Sequence, residues 1–184
     1  MASKIKGKQW VTIISPKIFG ENEIGQTLTS TPDSLVGKRV VLSAVELMND
    51  MNKYYLKFKF KVKSVSGNKA YTDFDGSECL QDYISRMVLR RVRRIDSVQD
   101  LVTKDNIKVR IKGLTIVSKM VKSSLEKKIR VYISEIIKSM VESYTSEKLI
   151  ENFVSNEIKN NVIKEARKIY PIRNFEIRKI EVQS

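Results

Sequence analysis

The stretch from Tyr54 to Lys63 constrains the fold more than any other, because Lys57, Lys59, Lys61 and Lys63 alternate with Phe58, Phe60 and Val62. Residues two apart share one face of a strand, so this is the spacing of a sheet that is buried on one side and wet on the other. A helix would scatter the same lysines around its axis. Ser66-Gly67-Asn68 supplies a turn, and Lys69 to Phe74 reads as the returning strand of a hairpin.

The remaining segments are placed around that hairpin. Gln9 to Ile14 reads as a strand ended at Ser15-Pro16, since proline cannot donate to a ladder. Gly20, Gly25, Pro32 and Gly37 among polar residues make Phe19 to Gly37 an ordered but irregular loop over a partner surface. Lys38 to Leu47 resumes as strand. A helix is expected from Ser77 or Glu78 to about Ile95, with Leu80, Tyr83, Ile84, Met87, Val88 and Val92 on one face. Ile107 to Val117 returns to alternation and ends uniformly apolar.

From Ser123 the pattern is helical: Ser123-Ser124-Leu125-Glu126 has the form of a capping box, and Leu125, Ile129, Tyr132, Ile133, Ile136 and Met140 form a buried stripe. Two shorter helices, 146–154 and 156–169, meet at Ser155, a candidate N-cap. Pro171 stops the last, and Phe175 to Val182 closes the chain as a strand. Strands first and helices later, without regular βαβ alternation, give an α+β fold. It is expected to be an antiparallel sheet or partly closed β-barrel with helices packed to one side and a C-terminal closing strand. Residues 1–8 read as a basic flexible arm and 9–184 as a single domain.

Charge sets the class of partner. With 35 Lys and Arg against 21 Asp and Glu, the chain carries +14 at neutral pH. Self-repulsion of that size opposes a compact state unless a polyanion supplies counter-charge, so nucleic acid is the expected partner, ahead of anionic membrane or acidic protein. Histidine is absent altogether, which removes the commonest general base, the usual triads and histidine-ligated metals. A phosphate loop of the GxxxxGK form is also missing. Asp73 with Asp75, and Glu46 with Asp50, are read as surface carboxylates rather than a metal cluster. The lone Cys79 excludes an intramolecular disulfide and fits a reducing, cytosolic setting, and neither a signal-peptide run nor a membrane span is found. A protein without catalytic residues, cofactor or metal is expected.

The candidate contacts are four. Arg86, Arg90, Arg91, Arg93 and Arg94 would form a helical stripe suited to RNA backbone, because arginine binds phosphate bidentately and stacks on bases. Lys57, Lys59, Lys61 and Lys63 are read equally as RNA contacts or as a means of keeping the sheet soluble. Lys108, Arg110 and Lys112 would broaden that lysine face if their strand belongs to the same sheet. Trp10 is either a stacking platform for an unpaired base or a core residue.

Several segments, taken in order, resemble the archaeal and eukaryotic small-subunit ribosomal family S-three-Ae, or eS-one. The likeness runs from Lys8-Gln9-Trp10, Ser15-Pro16, Phe19 and Ile24-Gly25-Gln26-Thr27 through Gly37-Lys38-Arg39, Lys57-Phe58-Lys59-Phe60 and Phe74-Asp75-Gly76. It continues with Asp82 and the arginine run, Thr103-Lys104-Asp105, Ile129-Arg130, Ile169-Tyr170-Pro171-Ile172-Arg173 and Ile177-Arg178-Lys179-Ile180. Asn106 stands where the family usually has glycine. The resemblance implies an archaeal-like structural protein of the small subunit, on the platform near the mRNA exit and the 3′ region of the rRNA. Its implied partners are small-subunit rRNA, neighbouring ribosomal proteins and mRNA near the exit, with Lys8, Trp10, Lys38 and Arg39 added to the RNA contacts. A free RNA-binding or RNA-processing factor outside the ribosome is the alternative.

Overall fold

The computed structural model describes residues 7–183, so most of the basic arm expected over residues 1–8 lies outside the described residues. The chain divides into two compact units, one running up to Ser77 and one from Glu78 onward.

In the first unit the elements are β1 (Gln9–Ile14), β2 (Glu23–Thr29), β3 (Arg39–Ser43), α1 (Ala44–Met48), β4 (Leu56–Ser66) and β5 (Lys69–Cys79), whose last two residues enter the second unit. The strands are ordered β2-β1-β5-β4-β3. β1 runs antiparallel to β2 and parallel to the start of β5, where Ile13 lies beside Ala70. β3 runs antiparallel to β4, from Arg39 opposite Lys61 to Ser43 opposite Lys57. The β4 alternation has the expected consequence: Leu56, Phe58, Phe60 and Val62 are buried. The Phe19 ring packs on Phe58 and Phe60 with centroids at 5.2 and 5.6 Å, and Phe74 lies 6.2 Å from Phe58. Val11, Ile13, Leu35, Val62 and Ala70 form the adjoining apolar cluster. Each such side chain, fully buried, stabilises the fold by about 1.5–3 kcal/mol.

Two expectations are corrected here. The segment from Phe19 to Gly37 is not irregular throughout, because Glu23–Thr29 is the edge strand β2; its polar, glycine-containing sequence suits a strand with one free edge. The strand expected over Lys38 to Leu47 ends at Ser43, whose Oγ accepts from the Val45 N–H and starts a short helix.

The second unit contains α2 (Gln81–Met87), β6 (Arg93–Val102), β7 (Lys108–Val117), α3 (Ser123–Ser143), α4 (Ser146–Val154), α5 (Glu157–Ala166) and β8 (Ile172–Gln183). β7 is flanked by antiparallel β6 and β8. α3 packs on β6, α5 on α3 and β8, and α4 on α5. The closing strand and helical layer are as expected, and the architecture is α+β. The barrel alternative is excluded, since β2, β3 and β6 remain edges.

The long helix expected to reach Ile95 stops at Met87, and residues 93–102 pair with β7 over ten consecutive positions. β-Branched Val88 and Val92 and a left-handed Arg91 (φ 64°) mark the change of direction. The helical stripe on α3 is Ile129, Ile133, Ile137 and Val141, so of the expected residues only Ile129 and Ile133 are fully buried. Its capping box does not form: Lys122 occupies the N-cap position and the Glu126 carboxylate turns to Arg93 and Arg130 instead. Ser155 closes α4 rather than opening α5, whose N-cap is Asn156 in the left-handed region. Asn106 also adopts that region (φ 60°), which asparagine tolerates better than other non-glycine residues.

Buried Glu176 on β8 ties α2 and α5 to the sheet. It accepts from Tyr83 Oη at 2.9 Å and pairs with Lys159 Nζ. Beside it the Cys79 thiol donates to the Ile177 carbonyl at 3.2 Å, and burial, reinforced by the Glu176 charge, pushes its pKa up to about 12. The folded thiol therefore stays protonated while an unfolded one ionises near pH 9, so stability is expected to fall as pH rises from about 9 towards 12. Thiol-reagent labelling at pH 8 should proceed only at the rate of global or subglobal opening; rapid labelling of the native protein would contradict the assignment.

Gly113 sits opposite Ser97 at the centre of the ladder, and a Cβ there would lie 2.7 Å from Ser97 Oγ and 3.2 Å from the Phe175 ring. Gly113→Ala is expected to cost about 1–3 kcal/mol by denaturant titration. Ser97→Ala should recover part of that loss, because Ser97 Oγ has no hydrogen-bond partner to forfeit among the described residues.

Candidate nucleic-acid interface

The exposed cations fall into two groups, those with a carboxylate in reach and those without. On the outer face of β4, Lys63 pairs with Asp73 at 2.9 Å, and Arg39 with Asp75 at 2.7 Å. The Asp73 hydrogen bond raises the Lys63 pKa. The two aspartates read as surface carboxylates are thus counter-ions of two expected RNA contacts. Lys38, Lys57 and Lys61 make no ion pair with a described residue, whereas Lys59 is engaged. Lys8 is exposed at the start of the described chain.

Trp10 is 61 % exposed, which overturns the core reading of it. It stands opposite Leu28, itself 44 % exposed, on the face of β1 turned away from buried Val11 and Ile13. Lys69 follows on the neighbouring strand, aligned with Thr12. An indole flanked by an aliphatic side chain and lysines can stack on an unpaired base while the cations hold its phosphate.

The second basic strand behaves differently. β7 pairs with β6 and β8, not with β4, so Lys108, Arg110 and Lys112 are not on a strand adjacent to the β4 lysines. Arg110 clamps Asp100 bidentately at 2.6 and 2.8 Å, which lowers the Asp100 pKa and raises that of Arg110. Glu181 accepts from Lys179 at 2.6 Å and Lys112 at 3.0 Å, and those hydrogen bonds hold its carboxyl below the usual range. Of the three only Lys108 is exposed and unpaired among the described residues.

The arginine run is the largest correction. Arg86 ends α2, Arg90 and Arg91 lie in the turn after it, and Arg93 and Arg94 begin β6, so no helical stripe exists. Arg93 binds Glu126 at 2.6 Å and Arg94 binds Asp96 at 3.1 Å. Arg86, Arg90 and Arg91 are exposed without an ion-pair partner among the described residues. Sequence periodicity also missed Lys119 and Lys122, between β7 and α3, and Arg173 on β8, all exposed and unpaired in the same sense.

Among the described residues no group of three or more Cys, Asp or Glu side chains could hold a metal ion, and no helix is long and apolar enough to cross a membrane. What the fold organises is exposed, unneutralised positive charge on two α+β units, the arrangement of a polyanion-binding scaffold. The family model described as the Ribosomal S3Ae family matches residues 1–184, and the chain belongs to that family, whose members are structural ribosomal proteins and not enzymes. It is similar to "Small ribosomal subunit protein eS1" of Methanothermobacter thermautotrophicus, 39% identical over 177 residues covering 96% of this chain and 91% of the relative. The namesake proteins of Methanopyrus kandleri and Methanothrix thermoacetophila are 36% and 35% identical, covering 97% and 98% of this chain and 87% and 86% of their own.

Because the indole is exposed, Trp10→Ala is expected to change stability by no more than about 0.5 kcal/mol, where a core tryptophan would cost about 3–5 kcal/mol. Trp10 is the single tryptophan of the chain. Its fluorescence should therefore be quenched on titration with unpaired RNA if it stacks, and unchanged if it does not.

Proposed function

We propose that this protein is a structural constituent of the small ribosomal subunit that binds small-subunit rRNA, seated on the platform near the mRNA exit and the 3′ region of the rRNA, beside other ribosomal proteins. The observation that carries the reading is the match of the whole chain to one ribosomal family, with relatives named as small-subunit proteins. The +14 charge supports it physically, since a polyanion relieves the repulsion that the chain's own carboxylates leave uncompensated.

Binding in this reading is electrostatic and geometric. The contacts proposed are Lys8, Trp10, Lys38, Lys57, Lys61, Arg86, Arg90, Arg91 and Lys108 as free groups. Arg39, Lys59, Lys63, Arg93, Arg94, Arg110 and Lys112 already have protein partners, so their role is reduced to positioning or to exchange of a carboxylate for a phosphate. Release of counterions from the RNA makes such binding salt-dependent. A tagged copy in a low-salt gradient of its native lysate should co-sediment with small subunits and move towards the free fraction as salt is raised. Recovery wholly outside ribosomal fractions at low salt would reject the proposal and favour a factor that acts off the ribosome.

A further inference from the structure

One end of the second unit's ladder brings together five unneutralised cations with no acid between them. In the β6-β7-β8 ladder Arg93 is opposite Val117, and Val117 is opposite Ile172. Three adjacent strands span about 10 Å, so the chain entering β6, leaving β7 and entering β8 must lie side by side there. Those stretches are 88–92, 118–122 and 169–173, and none contains an aspartate or glutamate. The first brings Arg90 and Arg91, the second Lys119 and Lys122, and the third Arg173, all exposed and without an ion-pair partner among the described residues. Arg173 is the extra residue of a bulge, between Ile172 opposite Val117 and Asn174 opposite Ile116. Such bulges re-aim a side chain.

Each stretch also exposes one large apolar side chain: Leu89 (49 %), Met120 (64 %) and Ile169 (42 %). The carboxylate in the first turn of α3, Glu126, is occupied by Arg93 and Arg130 and does not relieve the charge. At the opposite end of the ladder the composition differs, with Asp105 bonded to the Ser146 N–H and hydroxyl, and Asp100 clamped by Arg110. Lys104 and Lys108 are exposed there as well, so that end mixes both signs, whereas the three stretches at the first end hold cations alone.

We infer that this acid-free end is a binding surface for RNA at an interruption of its helix, a bulge or junction, with the cations on the phosphates and Leu89, Met120 and Ile169 against unstacked base or ribose faces. The inference rests on the rRNA reading above and assigns Lys119, Lys122 and Arg173 to it. Uninterrupted duplex offers phosphates but no accessible base faces, which would leave the three apolar side chains wet. A protein partner is less suited, because the cores of protein interfaces are depleted in lysine.

The full-length chain is titrated, over a series of salt concentrations, with a bulged RNA hairpin and with a continuous RNA duplex of the same length. Wild type should prefer the bulged hairpin. Lys119→Gln/Lys122→Gln/Arg173→Gln should flatten the log affinity against log salt slope by about 2–3, at about 0.7–0.9 for each phosphate that is no longer neutralised. Leu89→Ser/Met120→Ser should keep the slope and lose the preference for the bulge. Because these side chains are exposed, thermal melting should be nearly unchanged, and the Lys57→Gln/Lys61→Gln variant reports the β4 face separately. A triple variant with wild-type slope, or an apolar variant that still prefers the bulge, overturns the assignment while leaving rRNA binding intact. If both variants bind RNA normally but fail to recruit a ribosomal protein in reconstituted subunits, the surface belongs to a protein and the assignment is equally overturned. Wild type that binds neither these RNAs nor small-subunit rRNA would reject the functional reading itself.

Discussion

β7 hydrogen-bonds on both sides, to β6 from Val102 to Arg93 and to β8 from Gln183 to Ile172, and the second unit depends on that double ladder. A central strand with an unpaired edge would leave buried amide and carbonyl groups without partners, each costing about 1–3 kcal/mol. Residues 93–102 are therefore recruited as strand although the sequence before them runs as helix. The consequence reaches the proposed RNA-binding surface. An arginine run that a helix would have laid out as one stripe is divided among a helix end, a turn and a strand, and two of its members are turned onto carboxylates.

The same ladder explains why charge counted along the chain is a poor measure of charge offered to a partner. Antiparallel pairing sets Arg110 opposite both Asp100 and Glu181, and brings Lys112 and Lys179 together onto the Glu181 carboxylate. Cross-strand neighbours of opposite sign attract and their fields largely cancel outside the sheet. On β4 the pairing is incomplete, so Lys57 and Lys61 stay unneutralised beside Lys63 and Arg39, which do not. Among the described residues, free charge is found on the β4 face and, with no acid between, at the Arg93–Val117–Ile172 end of the β6-β7-β8 ladder. An RNA-binding scaffold needs such local excess more than it needs net charge, since phosphates are met one at a time.

Much of the fold was legible in the sequence. The β4–β5 hairpin, the helical half from Ser123 and the closing strand all carry strong local signals: strict alternation, helical spacing and a proline stop. β2 and β6 were not legible, for opposite reasons. β2 is a polar edge strand with no apolar face to give it away, while β6 places Ser97 at an inward position and breaks the alternation between Ile95 and Leu101. Trp10 was ambiguous because one-residue registers of β1 differ only in which face is covered, and Val11 and Ile13 took the inside.

The sequence alone determined that this is a basic α+β protein without the residues for histidine-based catalysis, and its ordered motifs determined the family, because composition, period and motif order are properties of the chain read in one dimension. Tertiary structure decided which cations are free. Whether a lysine or arginine meets a carboxylate depends on strand register and on which segments end side by side, as with Arg93 at Glu126 and Arg173 beside the β7–α3 connection. Coulomb interaction at a few ångströms outweighs spacing along the chain, and that distance is set only when the strands pair.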